Sequence, residues 1–247
     1  MITDGISEPS HTTILINSTM NNCKYVILIM MSLYGLTSCG GSDCKIEYYH
    51  TNHFINCYRD WSSFKLSSYY NVIYIYFDYK SNYYYSEEIQ ILLNKNQSKD
   101  NLDTFNKLAE KNNDIGYNYT ASYFPGDDFR TTLTKGFTDI NITSDRDYDE
   151  SHPAGTSLND IFRIAAYSYA QFLNGSDQIA TDPDDKTLGA MFKLCSRLEH
   201  DDLLLIGSNI RIEPTHTSNV KHNITVTLTD EEGEVHSATV ETDFSAK

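Results

Sequence analysis

The stretch Asn71–Tyr79, with the sequence NVIYIYFDY, alternates between two sets of side chains. One set is Ile73, Ile75, Phe77 and Tyr79, and the other is Val72, Tyr74, Tyr76 and Asp78. A period of two residues is typical of a β-strand, because successive side chains of a strand point to opposite faces of the sheet. We therefore predict a strand here, with one apolar face directed toward a core and a tyrosine-rich face on its other side.

The predicted strand lies inside a tract that is rich in tyrosine. Eight tyrosines fall between residues 69 and 85. Rigid amphipathic rings on a sheet can stack against sugars or anchor a protein partner, and Tyr83, Tyr84 and Tyr85 are the candidate ligand-binding residues. Cross-strand packing of the rings, which by itself stabilises sheets, is the simpler interpretation and the one we favour.

Further elements are predicted on the C-terminal side of this strand. Leu158–Asn174 is the strongest helix candidate, because its apolar residues recur at steps of three and four, with Ser157 as the N-cap and Gly175 after the end. The other predicted elements are helices at 101–112 and about 188–199, strands at 118–124, 136–143 and 209–214, and a hairpin at 222–244 that turns at Asp230–Gly233.

These elements predict an α+β fold. We expect an antiparallel β-sheet or sandwich with two to three helices in a single domain. The strand near Asn71 and the C-terminal hairpin are expected to pair in one sheet.

The chain has 247 residues and a formal net charge of −15, with no run of basic residues. Non-specific binding to nucleic acid depends on clustered Lys and Arg that neutralise phosphates. The composition therefore argues against a nucleic-acid partner. The apolar content is sufficient for a folded core.

An apolar run covers Tyr25–Leu36 and follows Lys24. A membrane-spanning helix needs about 20 apolar residues, so this shorter run is typical of the h-region of a signal peptide. It ends in Leu36-Thr37-Ser38-Cys39, which resembles the lipobox of bacterial lipoproteins. The resemblance implies that Cys39 is acylated and becomes the mature N-terminus.

The start of the chain also resembles that of small Bacteroidetes envelope lipoproteins of unknown function. We interpret 1–19 as an upstream-start artefact, 20–38 as the signal peptide, 39–45 as a flexible tether and 46–247 as the globular domain. The resemblance implies a membrane partner through the lipid anchor, in the bacterial cell envelope and at its outer membrane. No cofactor is expected.

The cysteines that would remain beside Cys39 in the mature chain are Cys44, Cys57 and Cys195. Disulfides form in envelope compartments, and Cys44 with Cys57 is the natural pair. The same two cysteines with His50 and His53 offer the ligand set of a structural zinc site, although their spacing matches no common finger. We favour the disulfide and keep two alternatives, which are a zinc site and cysteines that form neither.

An acidic loop offers a candidate calcium site at Asp145, Asp147, Asp149 and Glu150. An EF-hand would require glycine at the position of Glu150 and glutamate at Thr156, so that motif is rejected. A non-standard calcium site remains open, and a solvated loop is the simpler interpretation.

No catalytic motif is evident. Gly155-Thr156-Ser157 begins like a nucleophile elbow but lacks the second glycine. The leading hypothesis is a non-enzymatic, lipid-anchored binding or structural module whose ligand is a glycan or a protein. The alternative is a small hydrolase that acts on glycan or peptide. A hydrolase requires a cleft near Asp145–Asn159 with a carboxylate of raised pKa or a Ser–His pair, whereas a binding module requires exposed aromatic rings.

Overall fold

Two long strands joined by a two-residue turn form the largest hairpin of the structure, and they include the NVIYIYFDY stretch. The computed structural model describes residues 47–123, 130–174 and 189–245. In chain order the strands are β1 (Glu47–Thr51), β2 (Cys57–Tyr69), β3 (Val72–Tyr85), β4 (Tyr119–Tyr123), β5 (Thr131–Leu133), β6 (Phe137–Ser144), β7 (Phe162–Tyr167), β8 (Ala190–Leu194), β9 (Ile210–Pro214), β10 (Lys221–Asp230) and β11 (Val235–Asp243). The α-helices are α1 (Glu87–Leu92), α2 (Lys99–Lys111), α3 (Ala170–Asn174) and α4 (His200–Leu204), and Cys195–Arg197 forms a 3-10 turn.

The described strands form three sheets. A six-stranded sheet has the order β5-β2-β3-β9-β7-β8, and a three-stranded sheet has the order β11-β10-β6. Strands β1 and β4 form a separate antiparallel pair. All of these pairings are antiparallel except the one between β2 and β5.

The main core lies between the six-stranded and the three-stranded sheets. It combines the inward side chains of β3 (Ile73, Ile75 and Phe77) with those of β10 (Ile224, Val226 and Leu228). The predicted apolar face of β3 is therefore confirmed, and β10 shows the same alternation of buried residues. Alternation decides the fold here because one face of each strand is buried against the opposite sheet.

A second apolar cluster forms around α2. Phe105 and Ala109 of this helix are buried against Phe54, Ile55 and Tyr58. The predicted helix at 101–112 is confirmed, and it begins at an N-cap, Ser98, whose hydroxyl accepts a hydrogen bond from the backbone N–H of Asn101 at 3.2 Å.

The prediction of a helix over Leu158–Asn174 is wrong. The segment contains strand β7 and then the short helix α3. Phe162, Ile164 and Ala166 alternate as buried residues along β7, and the strand is paired on both edges, to β8 and to β9. Ser157 bridges to Thr143 rather than capping a helix.

Two further expectations are also wrong. The segment predicted as a helix at about 188–199 consists of β8 and the 3-10 turn. The C-terminal hairpin pairs with β6, whereas β3 pairs with β2 and β9, so the two segments lie in different sheets.

The fold class itself is confirmed. The chain forms an α+β sandwich of mainly antiparallel sheets, and residues Ile46–Lys247 form one compact unit. The described part has four α-helices rather than two or three, and three of them are only five or six residues long. None of the helices within the described ranges is long and apolar enough to cross a bilayer.

Candidate functional site: a tyrosine-rich hairpin end

The turn of the β2–β3 hairpin carries the most exposed part of the tyrosine tract. Tyr69 and Val72 are paired, so Tyr70 and Asn71 alone form the turn. Tyr69 is 64% exposed and Tyr70 is 61% exposed, and their ring centroids are 4.3 Å apart in a T-shaped arrangement. A hydrogen bond from the Tyr69 hydroxyl to that of Tyr70 raises the pKa of Tyr69.

Tyr70 has an unusual backbone conformation. Its φ angle is +52°, in the left-handed region that bulky side chains rarely adopt. Glycine or asparagine would fit this turn position with less strain. An exposed aromatic side chain at such a position is a reason to look for a function of the ring.

The outer face of the six-stranded sheet continues the aromatic surface. Cross-strand register places Tyr69, Tyr74 and Tyr76 on one face, opposite to the face of Ile73 and Ile75. The rings of Tyr74 and Tyr76 are stacked with centroids 6.3 Å apart, and Tyr76 is 57% exposed. We call Tyr69, Tyr70, Tyr74 and Tyr76 the tyrosine surface.

A groove of about 550 Å³ lies beside the turn, where the two larger sheets meet at one end of the sandwich. One wall is formed by Ser68, Tyr70 and Asn71 of the β2–β3 hairpin. The other wall comes from the ends of β10 and β11 and from the residues that follow, and it consists of Lys221, Glu241, Thr242, Asp243 and Ser245.

Polar contacts link the residues of the groove walls, both between the walls and within one of them. The hydroxyls of Ser68 and Thr242 are 2.6 Å apart and connect the two sheets. The Lys221 ammonium donates to a Glu241 carboxylate oxygen at 3.3 Å, and a carboxylate oxygen of Asp243 accepts from the backbone N–H of Ser245 at 3.0 Å. The groove is therefore rich in hydrogen-bonding groups, and within the described part of the chain Tyr70 supplies the only aromatic ring of its lining.

The sequence-predicted tyrosines, Tyr83 to Tyr85, lie at the other end of the hairpin and are more engaged in internal packing. Tyr83 is 39% exposed and is stacked on Tyr85, with centroids 5.6 Å apart and planes at 4°. The Arg59 guanidinium lies over the rings of Tyr79 and Tyr83 and donates to the Tyr83 hydroxyl at 2.7 Å. Tyr84 packs against the second apolar cluster. These contacts agree with the interpretation favoured from the sequence, in which Tyr83 to Tyr85 pack against neighbouring side chains.

The candidate calcium residues have separate hydrogen-bonding partners. Asp145 accepts from the backbone and side-chain amides of Asn223, both at 2.8 Å, and Asp147 accepts from the backbone N–H of Ala154 at 2.8 Å. Nowhere in the described part of the chain are three or more His, Cys, Asp or Glu side chains grouped as metal ligands.

Asp149 belongs to a network with two histidines instead. Its carboxylate accepts from Nδ1 of His152 at 2.7 Å and from Nε2 of His216 at 3.1 Å. Nε2 of His152 in turn donates to Asp160 at 3.1 Å. The hydrogen bond from His152 lowers the pKa of Asp149 to about 2, which is the opposite of the raised pKa that a hydrolase would require here.

A Ser–His pair is present next to the acidic loop, but it is buried. Nδ1 of His222 is 2.8 Å from the Ser144 hydroxyl, and Nε2 is 2.7 Å from the Ser218 hydroxyl. All three side chains are buried, and burial lowers the pKa of His222. The hydroxyls are not presented to a substrate, so this arrangement is explained by packing.

The cysteine predictions depend on residues at the edge of the described structure. Cys57 is buried and has no disulfide partner among the described residues, and burial raises the pKa of its thiol to about 12. His53 bonds through Nδ1 to the backbone carbonyl of Asp114 at 2.7 Å, and His50 is exposed on β1. Cys44 lies outside the described residues, as do Cys39 and the whole predicted leader. The disulfide, the zinc alternative and the lipidation therefore stay predictions.

No protein-family model, curated protein or solved structure matches this chain.

Proposed function

We propose that this chain is a non-enzymatic binding module, anchored to the bacterial cell envelope through acylated Cys39. The observation that carries the binding role is the tyrosine surface beside the groove at the end of the β2–β3 hairpin. Rings that pack only to stabilise a sheet become covered by neighbours, whereas Tyr69, Tyr70 and Tyr76 each remain more than half exposed. Aromatic residues that project from rigid elements provide binding area at little cost in side-chain entropy.

The strain at Tyr70 supports the same proposal. A turn residue selected only for folding would favour Gly or Asn at this φ angle. A tyrosine there adds a rigid ring to the lining of the groove at a cost to the backbone. A purely structural subunit gives no reason for that cost.

The hydrolase alternative has less support. Near Asp145–Asn159 the pKa of Asp149 is lowered rather than raised, and the Ser144–His222 pair is buried. The lipid anchor is supported by the order of the apolar run, the small residues and the cysteine, which is a property of the sequence.

The anchor is tested with radiolabelled palmitate in a bacterium of the Bacteroidetes. The wild-type chain should take up label, and the Cys39→Ala variant should not. Cys57→Ala serves as the control, because it removes a different cysteine and should keep the label. Label in the Cys39→Ala protein would contradict the lipobox.

The binding role is tested with immobilised full-length chain exposed to solubilised envelope fractions, followed by protein and sugar analysis. A triple variant with Tyr69, Tyr70 and Tyr76 each changed to Ala should lose components that the wild type retains. Tyr48→Ala is the matched control, because Tyr48 is 71% exposed on β1 and lies outside the tyrosine surface. Identical retained components for the wild type and the triple variant would contradict the proposal.

A further inference from the structure

The groove beside Tyr70 has a composition that restricts its ligand. Its lining offers two carboxylates (Glu241 and Asp243), one ammonium (Lys221), one amide (Asn71) and the hydroxyls of serine and threonine. A ligand that fits must therefore present many hydrogen-bonding groups over a short distance. The volume of about 550 Å³ falls within the range of small-molecule sites, about 300–1,000 Å³.

Charge disfavours an anionic ligand. Among the described residues that line the groove, two carry carboxylates and one carries an ammonium, and Lys221 is already paired with Glu241. The whole chain carries a formal charge of −15. An acidic ligand would meet repulsion both at long range and at the site.

The surface of the groove is more polar than apolar, whereas a lipid tail or a protein hot spot requires a mainly apolar lining. Protein interfaces have an apolar core that excludes water. Among the described residues that line the groove, Tyr70 is the only one with an aromatic or aliphatic side chain. One aromatic ring surrounded by polar groups fits a ligand that has both C–H faces and polar edges. A C–H face can stack on the ring while the polar edges bond to the surrounding groups.

Resting on the proposed binding function, we infer that the ligand is a neutral oligosaccharide, with one sugar ring stacked on Tyr70 and its hydroxyls directed to Asp243, Glu241 and Asn71. The electron-rich face of an aromatic ring attracts the weakly positive C–H groups of a sugar face. Carboxylates accept hydrogen bonds from sugar hydroxyls.

The test is affinity electrophoresis of the full-length chain through gels that contain neutral polysaccharides (laminarin, xylan, mannan or starch) or acidic ones (alginate or polygalacturonate). We expect retardation by at least one neutral polysaccharide and by neither acidic one. Calorimetry with an oligosaccharide of the retarding polymer then gives the Kd. This Kd should change less than twofold between low and high salt, because binding of a neutral ligand does not depend on screened charges.

Tyr70→Gly and Tyr70→Asn separate function from folding. Both replacements fit the left-handed turn, so their unfolding midpoints should equal or exceed that of the wild type, while binding weakens at least tenfold. Tyr48→Ala should bind like the wild type. A Tyr70 variant that retains full affinity would overturn the assignment of the stacking residue.

The outcomes also distinguish this inference from the proposed function. If no neutral polysaccharide retards the chain, the sugar inference is overturned. The binding role survives that result if a protein from the envelope fraction is lost by the tyrosine triple variant and kept by Tyr48→Ala. If the triple variant changes nothing in either experiment, both proposals fail.

Discussion

At the scale of single residues, Gly136 is required by a close backbone contact. A Cβ atom added at this position would lie 1.8 Å from the carbonyl oxygen of Leu204. Since a backbone atom cannot move away as a side chain can, Gly136→Ala should lower the free energy of unfolding by about 1–3 kcal/mol or more. Urea denaturation of the purified protein measures the difference.

Gly207 provides the matched control for this substitution. A Cβ atom at Gly207 would make ordinary contacts, the nearest at 3.4 Å from the carbonyl of Thr131. Both changes restrict the unfolded chain by the same amount. An equal effect of Gly136→Ala and Gly207→Ala would show that the contact with Leu204 does not constrain the fold.

At the scale of elements, β7 shows where sequence periodicity is ambiguous. Leu158, Ile161, Phe162 and Ala165 fit a helical stripe, and Phe162, Ile164 and Ala166 fit a strand. A short apolar segment satisfies both patterns, and pairing with β8 and β9 decides between them. By contrast, β10 and the first half of β3 alternate clearly, so their sequences were sufficient to predict strands there, although β3 continues beyond the predicted end at Tyr79 to Tyr85.

Two adjacent alanines test the strand directly. Ala166 is buried in the structure, whereas Ala165 lies on the other face of β7 and is only partly buried. The helical stripe would instead place Ala165 inside. Ala166→Asp should therefore destabilise the protein by at least about 2 kcal/mol more than Ala165→Asp, because it buries an unpaired polar group. Thermal and urea unfolding give the comparison, and the reverse order would argue for the helix.

An ion pair connects two neighbouring elements, β8 and α4. The Lys193 ammonium donates to both carboxylate oxygens of Asp202 at 2.8 Å, and Asp202 is 3% exposed and also accepts from the backbone N–H of Glu199. Lys193→Met leaves this buried carboxylate without its cation and should cost about 2 kcal/mol in unfolding free energy.

The matched control for this ion pair is Lys65→Met on β2. Lys65 pairs with Asp78 at 2.9 Å, but both side chains are well exposed to solvent. An exposed pair contributes little to stability, so Lys65→Met should cost much less than Lys193→Met. If unfolding in urea gave equal losses for the two variants, the burial of Asp202 would have no energetic consequence.

At the scale of the whole molecule, the candidate site arises from contacts that are distant in sequence. Ser68 and Thr242 are separated by 174 positions and meet because the two sheets face each other at that end of the sandwich. Local patterns predicted a tyrosine face on β3, but they could not show which rings stay exposed or that a groove adjoins them. The exposed rings and the groove depend on the arrangement of the sheets. Local patterns predicted this arrangement incorrectly for the C-terminal hairpin.

The network around His152 should make the stability of the whole molecule depend on pH. Both ring nitrogens of His152 donate to carboxylates, to Asp149 at 2.7 Å and to Asp160 at 3.1 Å, so the imidazole is held in its charged form. The hydrogen bond to Asp149 raises the pKa of His152 above its ordinary value of 6.5. A pKa raised on folding stabilises the protein fully below 6.5, and this contribution is lost as the pH rises through the raised pKa.

Asp149 sets the acidic limit of the same contribution. Its pKa is lowered from 3.8 to about 2. The stabilisation that this carboxylate contributes is therefore present above pH 3.8 and is lost as the pH falls toward 2. The stabilising contributions of Asp149 and His152 are therefore both complete between pH 3.8 and 6.5. His222 acts in the opposite direction, because its lowered pKa makes acid destabilise the fold below 6.5, but this effect is common to the wild type and any variant at His152.

The His152→Gln variant isolates the contribution of the network. The wild type should exceed the variant in unfolding free energy by more at about pH 5.5 than at about pH 8.5, because the charged imidazole is lost on the basic side. Urea titrations of both proteins at the two pH values measure how the difference in their unfolding free energies changes with pH. The exposed His50 lies on β1 outside this network, and His50→Gln is the control variant. A His152→Gln effect that did not change with pH would mean that packing, rather than the charge of the imidazole, accounts for its role in the acidic loop.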